Sequence, residues 1–283
     1  MPSTRPEMTR AGLPATETVT ARDEYQNTRE LQIANERPLT IYLDRQEIVT
    51  LMTLGTQPEL LALGYLKNQG IVSDITNIRS IQVDWEVSAA VITTADESID
   101  WQETSGSRII TSGCGQGTVF SNVMEQLESI HLPARQVRQS VIYELLRKLA
   151  AYNDVYKSAG AVHGCALCND HDIEIFIEDV GRHNAVDAIA GHMWLEGIES
   201  DDKLFYTTGR LTSEMVIKVA MMGVPVLFSR SGITQMGLEL ARSTGVTLLA
   251  RAKGQHFLVY NGFENIHFDV ELPEKKHVAN VIS

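Results

Sequence analysis

Cysteine is scarce in this chain of 283 residues: there are three, at 114, 165 and 168. They form no series of evenly spaced pairs and no secretory leader precedes them, which argues against a disulfide-stapled secreted domain and for free thiols in a reducing compartment. Long apolar runs are also missing. A stretch such as Val219 to Phe228 falls well below the roughly 18 residues that a membrane helix needs, so the expectation is a cytoplasmic protein with no membrane span. Positive charge is in deficit, with 24 Lys and Arg against 36 Asp and Glu and a net charge of -12. Such a balance repels a phosphate backbone and disfavours nucleic-acid binding, although a local basic cluster can still hold a nucleotide. What the chain does have is apolar mass, 43% of its residues, enough for one large or two modest domains that fold without staples.

Residues 1–30 mix Thr, Arg, Glu and Pro with little apolar periodicity and read as a flexible tail without a targeting peptide. Alternation over Leu39 to Leu43 and again from Glu47 predicts a short hairpin turning at Asp44-Arg45. Pro58 opens a helical pattern carried by Leu60, Leu61, Leu63 and Leu66, and Gly70 closes it. Ile78 to Thr93 reads as one or two strands, and Asp96 to Gly106 as polar turn. Residues 31–133 are thus expected to form a small α+β domain that ends in a cysteine loop, with a short helix over Val119 to Ile130.

Residues 134–283 are expected to form an α/β domain. A single amphipathic helix is predicted from Ala134 to about Tyr156, since Val137, Val141, Leu145 and Leu149 recur every four residues. Strands at 161–167, 173–177, 204–207, 224–228, 246–250 and 256–260 then alternate with helices at 184–195, 212–222 and 235–243. That alternation predicts a layered domain with a mostly parallel sheet and an antiparallel last strand.

The glycine-dense loop Thr111 to Thr118, TSGCGQGT, surrounds Cys114 with open backbone, where a reactive thiol belongs; an ordinary glycine turn with an incidental cysteine is the alternative. Three strand-to-helix junctions carry polar clusters where α/β sheets collect ligands. Glu178 to Asp187, EDVGRHNAVD, is either a buried polar network or a ligand site. Thr207-Thr208-Gly209-Arg210 and Ser229-Arg230-Ser231-Gly232 suit an anion, although capping by Thr212 and Ser213 explains much of the former. The turn Arg251 to His256 concentrates cationic side chains in an acidic protein and favours a negatively charged ligand over a plain hairpin tip. Cys165 and Cys168, three apart on a strand, point to opposite faces roughly 10 Å apart, so neither shared metal coordination nor a disulfide is expected. No metal site is expected, and the zinc deaminase signature is absent.

EDVGRHNAVD, TTGRLTSEMV, the SGIT segment with its LELA helix, and KGQHFLVY occur in an order similar to that of the formate dehydrogenase accessory sulfurtransferase family. Pro58 to Tyr65 resembles the family's segment ahead of its cysteine loop, and the resemblance covers residues 36 to 262. It implies a C-terminal three-layer domain resembling the cytidine deaminase fold without its zinc, usually in a homodimer. It further implies a sulfurtransferase that passes sulfur from a cysteine desulfurase, through a persulfide on Cys114, to the bis-molybdopterin guanine dinucleotide destined for formate dehydrogenase. Arg251, Ala252, Lys253, Gly254, Gln255 and His256 match the family's cofactor-binding segment, with His163, Asp179, Arg182, His183 and Arg210 as additions to the same site. The chain departs from the family in two places. The second cysteine of the family's Cys-Gly-x-Cys-Gly loop falls on Gly117, and Lys253 and His256 stand where arginine is common, which removes the bidentate fork. One thiol suffices for a persulfide relay; a cofactor-binding chaperone without sulfur transfer is the alternative.

Overall fold

The computed structural model describes residues 5–95, 127 and 129–271. The first strand, β1 (Glu7–Met8), is followed by a hairpin of β2 (Thr16–Arg22) and β3 (Thr28–Ala34). This corrects the expectation of a flexible tail. Thr, Val, Leu and Ile recur on alternate positions of the two strands, and Asp23 closes the turn by accepting from the backbone N–H of Tyr25 and Asn27 at 3.0 and 2.9 Å. A hairpin satisfies its backbone locally and needs little core, so its composition resembles that of a tail.

β4 (Arg37–Leu43) and β5 (Gln46–Thr53) form the expected hairpin, with Asp44 in the left-handed turn conformation. β6 (Ile78–Asp84) and β7 (Ala89–Thr94) complete a five-stranded sheet in the order β1-β6-β7-β4-β5. Helix α1 (Pro58–Asn68) begins on proline and is followed by Gly70 at φ +66°. Its buried Glu59 accepts from Thr9 Oγ1 at 2.7 Å and from the Ala11 N–H at 2.8 Å, tying the start of the chain to the helix.

β8 (Val137–Arg138), α2 (Gln139–Leu149) and α3 (Asp154–Ala159) replace the single helix predicted over 134–156. Val137 and Arg138 pair instead with β15 (Ile266–His267). Asn153 stands at φ +71° with its Nδ2 donating to the Leu149 carbonyl at 3.0 Å. That side chain competes with the helical backbone and ends α2 despite an uninterrupted apolar period.

The second sheet comprises β9 (His163–Cys168), β10 (Ile173–Asp179), β11 (Leu204–Thr207), β12 (Val226–Ser229), β13 (Thr247–Lys253) and β14 (His256–Asn261), in the order β10-β9-β11-β12-β13-β14. Only β11, β12 and β13 run parallel, joined through α5 (Ser213–Met221) and α6 (Gln235–Thr244). β9 is antiparallel to both its neighbours, so the sheet is mixed rather than mostly parallel. The short Asn169 to Asp172 turn dictates this, because a few residues can join antiparallel strands but not parallel ones. The antiparallel β14 agrees with expectation.

Apolar side chains cover both faces of this sheet. α4 (Arg182–Glu196), α5 and α6 pack on one face and α2 on the other, giving three layers. Cys165 belongs to the first cluster and Cys168 to the second. The first cluster runs without a break into the five-stranded sheet, because α1 packs directly on α4. The contact needs glycine on both helices: a Cβ at Gly64 would lie 1.7 Å from the Asp187 carbonyl oxygen, and one at Gly191 2.0 Å from that of Leu60.

Candidate functional site

Cys114 and the rest of the Thr111 to Thr118 loop lie outside the described residues, as do Asp96 to Gly106 and most of Val119 to Ile130. The Arg251 to His256 segment forms the end of β13, the hairpin tip and the start of β14, with Gly254 at φ +61° where a turn requires it. The tip overhangs a cavity of about 970 Å³. Ala252, Lys253, Gly254 and Gln255 line it, together with Tyr143, Leu146, Arg147 and Leu149 of α2, Tyr206 and Thr208 at the end of β11, and Arg230 after β12.

An irregularity in the β13–β14 pairing between Ala250 and Lys253, with Arg251 at φ +55°, splits the predicted segment. Ala252 and Lys253 reach the cavity, whereas the Arg251 guanidinium lies against Gly232, with Nη2 3.7 Å from where a Cβ would stand, and the Arg251 N–H donates to the Ser231 carbonyl. Neither Arg251 nor His256 lines the cavity. The α2 wall is what sequence reasoning missed: its apolar period looks the same whether it faces a core or a ligand. Arg230 and Thr208 had a signal, since each sits in a junction already marked for anions. Arg230 also stacks over the Tyr156 ring at 5.3 Å, a cation–π contact that holds the guanidinium at the cavity wall. The opposite rim is secured by Asp269, which accepts from the Ser140 N–H at 2.9 Å and Oγ at 2.6 Å. Hydrogen bonds from Ser140 hold the Asp269 carboxyl below the usual carboxylate range.

The Glu178 to Asp187 segment resolves into scaffold. Buried Asp179 accepts from Thr53 Oγ1 at 2.5 Å, the Leu54 N–H at 3.1 Å, the Gly181 N–H at 3.0 Å and Asn184 Nδ2 at 2.8 Å. Burial nevertheless pushes its pKa up, the hydrogen bonds only partly offsetting that cost. Asn184 also donates to the Met52 carbonyl at 2.6 Å. Glu178 takes the Val155 and Tyr156 N–H groups at the start of α3. Asp187 is fully buried against Lys218, both carboxylate oxygens at 2.7 Å, with Asn68 Nδ2 at 2.8 Å. His183 is buried too, its Nε2 3.2 Å from Glu214 Oε2. Burial pushes the His183 imidazole down to about 2, so it is neutral at physiological pH, and burial raises the Glu214 carboxyl.

The β11 and β12 ends are locked by their hydroxyls: Thr207 Oγ1 accepts from the Gly209 N–H at 3.1 Å and Ser229 Oγ donates to the Gly209 carbonyl at 2.6 Å. Thr234 caps α6 by accepting from the Gly237 N–H, whereas Thr212, the residue before α5, makes no such side-chain bond. Half-buried His163 stands beside them, its Nδ1 3.5 Å from Thr208 Oγ1. Burial lowers its pKa, and the positive charges of Arg182, Arg230 and Arg210 add to the effect. Cys165 and Cys168 are buried free thiols, and burial raises both pKa values, that of Cys165 to about 12. Neither is a thiolate at neutral pH, and the two lie on opposite faces of the sheet.

Residues 34–267 match the family model described as the FdhD/NarQ family. The sulfur carrier protein FdhD of Listeria monocytogenes serovar 1/2a is 30% identical over 240 residues, which cover 84% of this chain and 92% of that protein. Its namesake from Bacillus subtilis strain 168 is 28% identical over 238 residues, covering 83% and 90%. A crystal structure described as that of a formate dehydrogenase accessory protein from Desulfotalea psychrophila aligns with a TM-score of 0.71 and 28% identity, covering 89% of this chain and 98% of that one.

Proposed function

The chain belongs to the FdhD/NarQ family, and on that premise we propose that it carries sulfur, as a persulfide on Cys114, from a cysteine desulfurase to the bis-molybdopterin guanine dinucleotide of formate dehydrogenase. The Cys114 thiolate attacks the outer sulfur of the donor persulfide, forming Cys114–S–SH and releasing the donor thiolate. The cavity under the hairpin tip takes the cofactor as cargo. Its volume of about 970 Å³ suits a nucleotide-sized ligand, and Lys253 and Arg230 place positive charge on its wall in a protein of net charge -12. The observation that carries the reading is this basic cavity within a chain whose relatives are named sulfur carriers. Residues 134–283 act in it as a cofactor-binding unit of cytidine-deaminase-like layering, in a cytoplasmic homodimer.

Incubation with a desulfurase and cysteine, followed by mass spectrometry, should add one sulfur to Cys114. An unmodified Cys114, with normal formate dehydrogenase maturation by a Cys114→Ala variant, would overturn the relay. Gly117, in place of the family's second loop cysteine, favours one other reading, a cofactor chaperone without sulfur transfer. In that case Cys114→Ala leaves maturation intact while Lys253→Ala abolishes it.

A further inference from the structure

We propose that Tyr206 is a specificity-determining residue of the cavity: its buried hydroxyl donates to the ring carbonyl of the cofactor's guanine, which enters base first and leaves its phosphates at the basic rim. The proposal rests on the reading of the cavity as a nucleotide site, and it deepens that reading by assigning the ligand's orientation and the group that reads its base.

The lining residues divide by depth. Leu146, Leu149, Tyr206, Thr208 and Ala252 are buried, whereas Arg147, Arg230, Lys253, Gly254 and Gln255 are exposed. The cavity therefore has an apolar floor, continuous with the core cluster between α2 and the sheet, and a cationic rim. A planar base fits the first and a diphosphate the second. Two of the buried residues are polar. Thr208 Oγ1 already accepts from the Gly164 N–H at 3.1 Å. Tyr206 is 5% exposed, and its hydroxyl makes no hydrogen bond among the described residues. A buried hydroxyl is costly to leave unpaired, and an acceptor on a ligand removes that cost.

The position of this hydroxyl is fixed. β11 is paired with β9 on one side and β12 on the other, and the Phe228 ring packs on the Tyr206 ring at 5.1 Å. Burial pushes the phenol up to about 12, so it keeps its proton and donates at any physiological pH. Tyr206 stands opposite Phe228 in the sheet register, and Arg230, two residues further on, lines the same cavity. The Arg230 charge acts on the phenol; it draws the oxygen end of the O–H dipole and turns the proton away from itself. A donor in this place matches an oxo group rather than an amino group, so the site selects guanine over adenine.

The test is calorimetry of the full-length protein with guanosine diphosphate, adenosine diphosphate and inorganic pyrophosphate. The wild type should bind the guanine nucleotide about tenfold more tightly than the adenine one. Tyr206→Phe keeps the ring against Phe228 and should lose about tenfold for guanosine diphosphate, the worth of one buried hydrogen bond, with adenosine diphosphate and pyrophosphate unchanged. Lys253→Ala should weaken all three. A ligand variant makes the same cut without touching the fold. The diphosphate of 2-aminopurine riboside lacks the ring carbonyl; it should bind the wild type as weakly as guanosine diphosphate binds Tyr206→Phe, and should lose nothing further in that variant. A wild type without preference for guanine, an unchanged guanosine diphosphate affinity in Tyr206→Phe, or a carbonyl deletion that costs the variant as much as the wild type would each overturn the role of Tyr206 and leave the cavity as a nucleotide site. Failure of the wild type to bind any of the three ligands would overturn the cavity reading and this proposal together. Neither result bears on the persulfide assay at Cys114.

Discussion

The junction between β10 and α4 and the pair of junctions that follow β11 and β12 are built from the same residue types, a glycine turn with arginine and short polar side chains at a helix start. They end in opposite states. Asp179, Asn184 and Asp187 are buried with their hydrogen bonds made inside the protein, whereas Arg210 and Arg230 stand exposed at the sheet edge and form no ion pair among the described residues. A polar cluster becomes scaffold when its partners lie across a packing interface and a binding surface when they do not. Here the first junction takes Thr53, Leu54 and Asn68 from the N-terminal half of the chain and Lys218 from α5 as its partners.

The comparison breaks most readily at Lys218. Lys218→Met leaves Asp187 as an unpaired buried carboxylate and should destabilise the protein by about 3–5 kcal/mol in denaturant titration. Pairing it with Asp187→Leu should recover most of that loss, and a single-variant cost below about 1 kcal/mol would contradict the scaffold role. Asp179→Ala strands buried donors from both halves of the chain and should cost about 2–3 kcal/mol in the same measurement. A pH series sharpens the contrast further. The folded-state pKa of His183 lies below its unfolded value of 6.5, so the neutral ring's stabilisation is complete above about pH 6.5 and is lost as the pH falls toward the folded value. Between pH 6 and 5 the slope from this group approaches about 1.4 kcal/mol per pH unit, and His183→Gln should flatten it. The smallest effect on stability belongs to the other region. Arg230→Ala should change stability by less than about 0.5 kcal/mol, while weakening nucleotide binding to the cavity about tenfold in calorimetry.

Much of the C-terminal layering was legible. β11 carries the predicted bounds, the helices after it fall within a residue or two of expectation, and Cys165 and Cys168 face opposite sides of the sheet because strand side chains alternate. The hairpin at 16–34 was hidden by a composition shared with tails. The break at Asn153 was hidden because one left-handed residue leaves the apolar period intact. The direction of β9 was hidden because periodicity reports which face a residue takes and not which way a strand runs. Of the candidate site, the residues at 252–255 and the junction at Arg230 were readable from charge and glycine, and the α2 wall was not.

By itself the sequence determined the alternation of strands and helices, the glycines at turns and helix contacts, and the order of motifs that identifies the family. Those are local properties, written in period, turn chemistry and residue identity. Only the tertiary structure decided that EDVGRHNAVD is mostly scaffold, that Lys253 faces the cavity while Arg251 turns to Gly232, and that Arg230 stacks over Tyr156 at the cavity wall. Each of these depends on which distant residue supplies a partner or a counter-charge, and that is settled when α1 closes on α4 through Gly64 and Gly191.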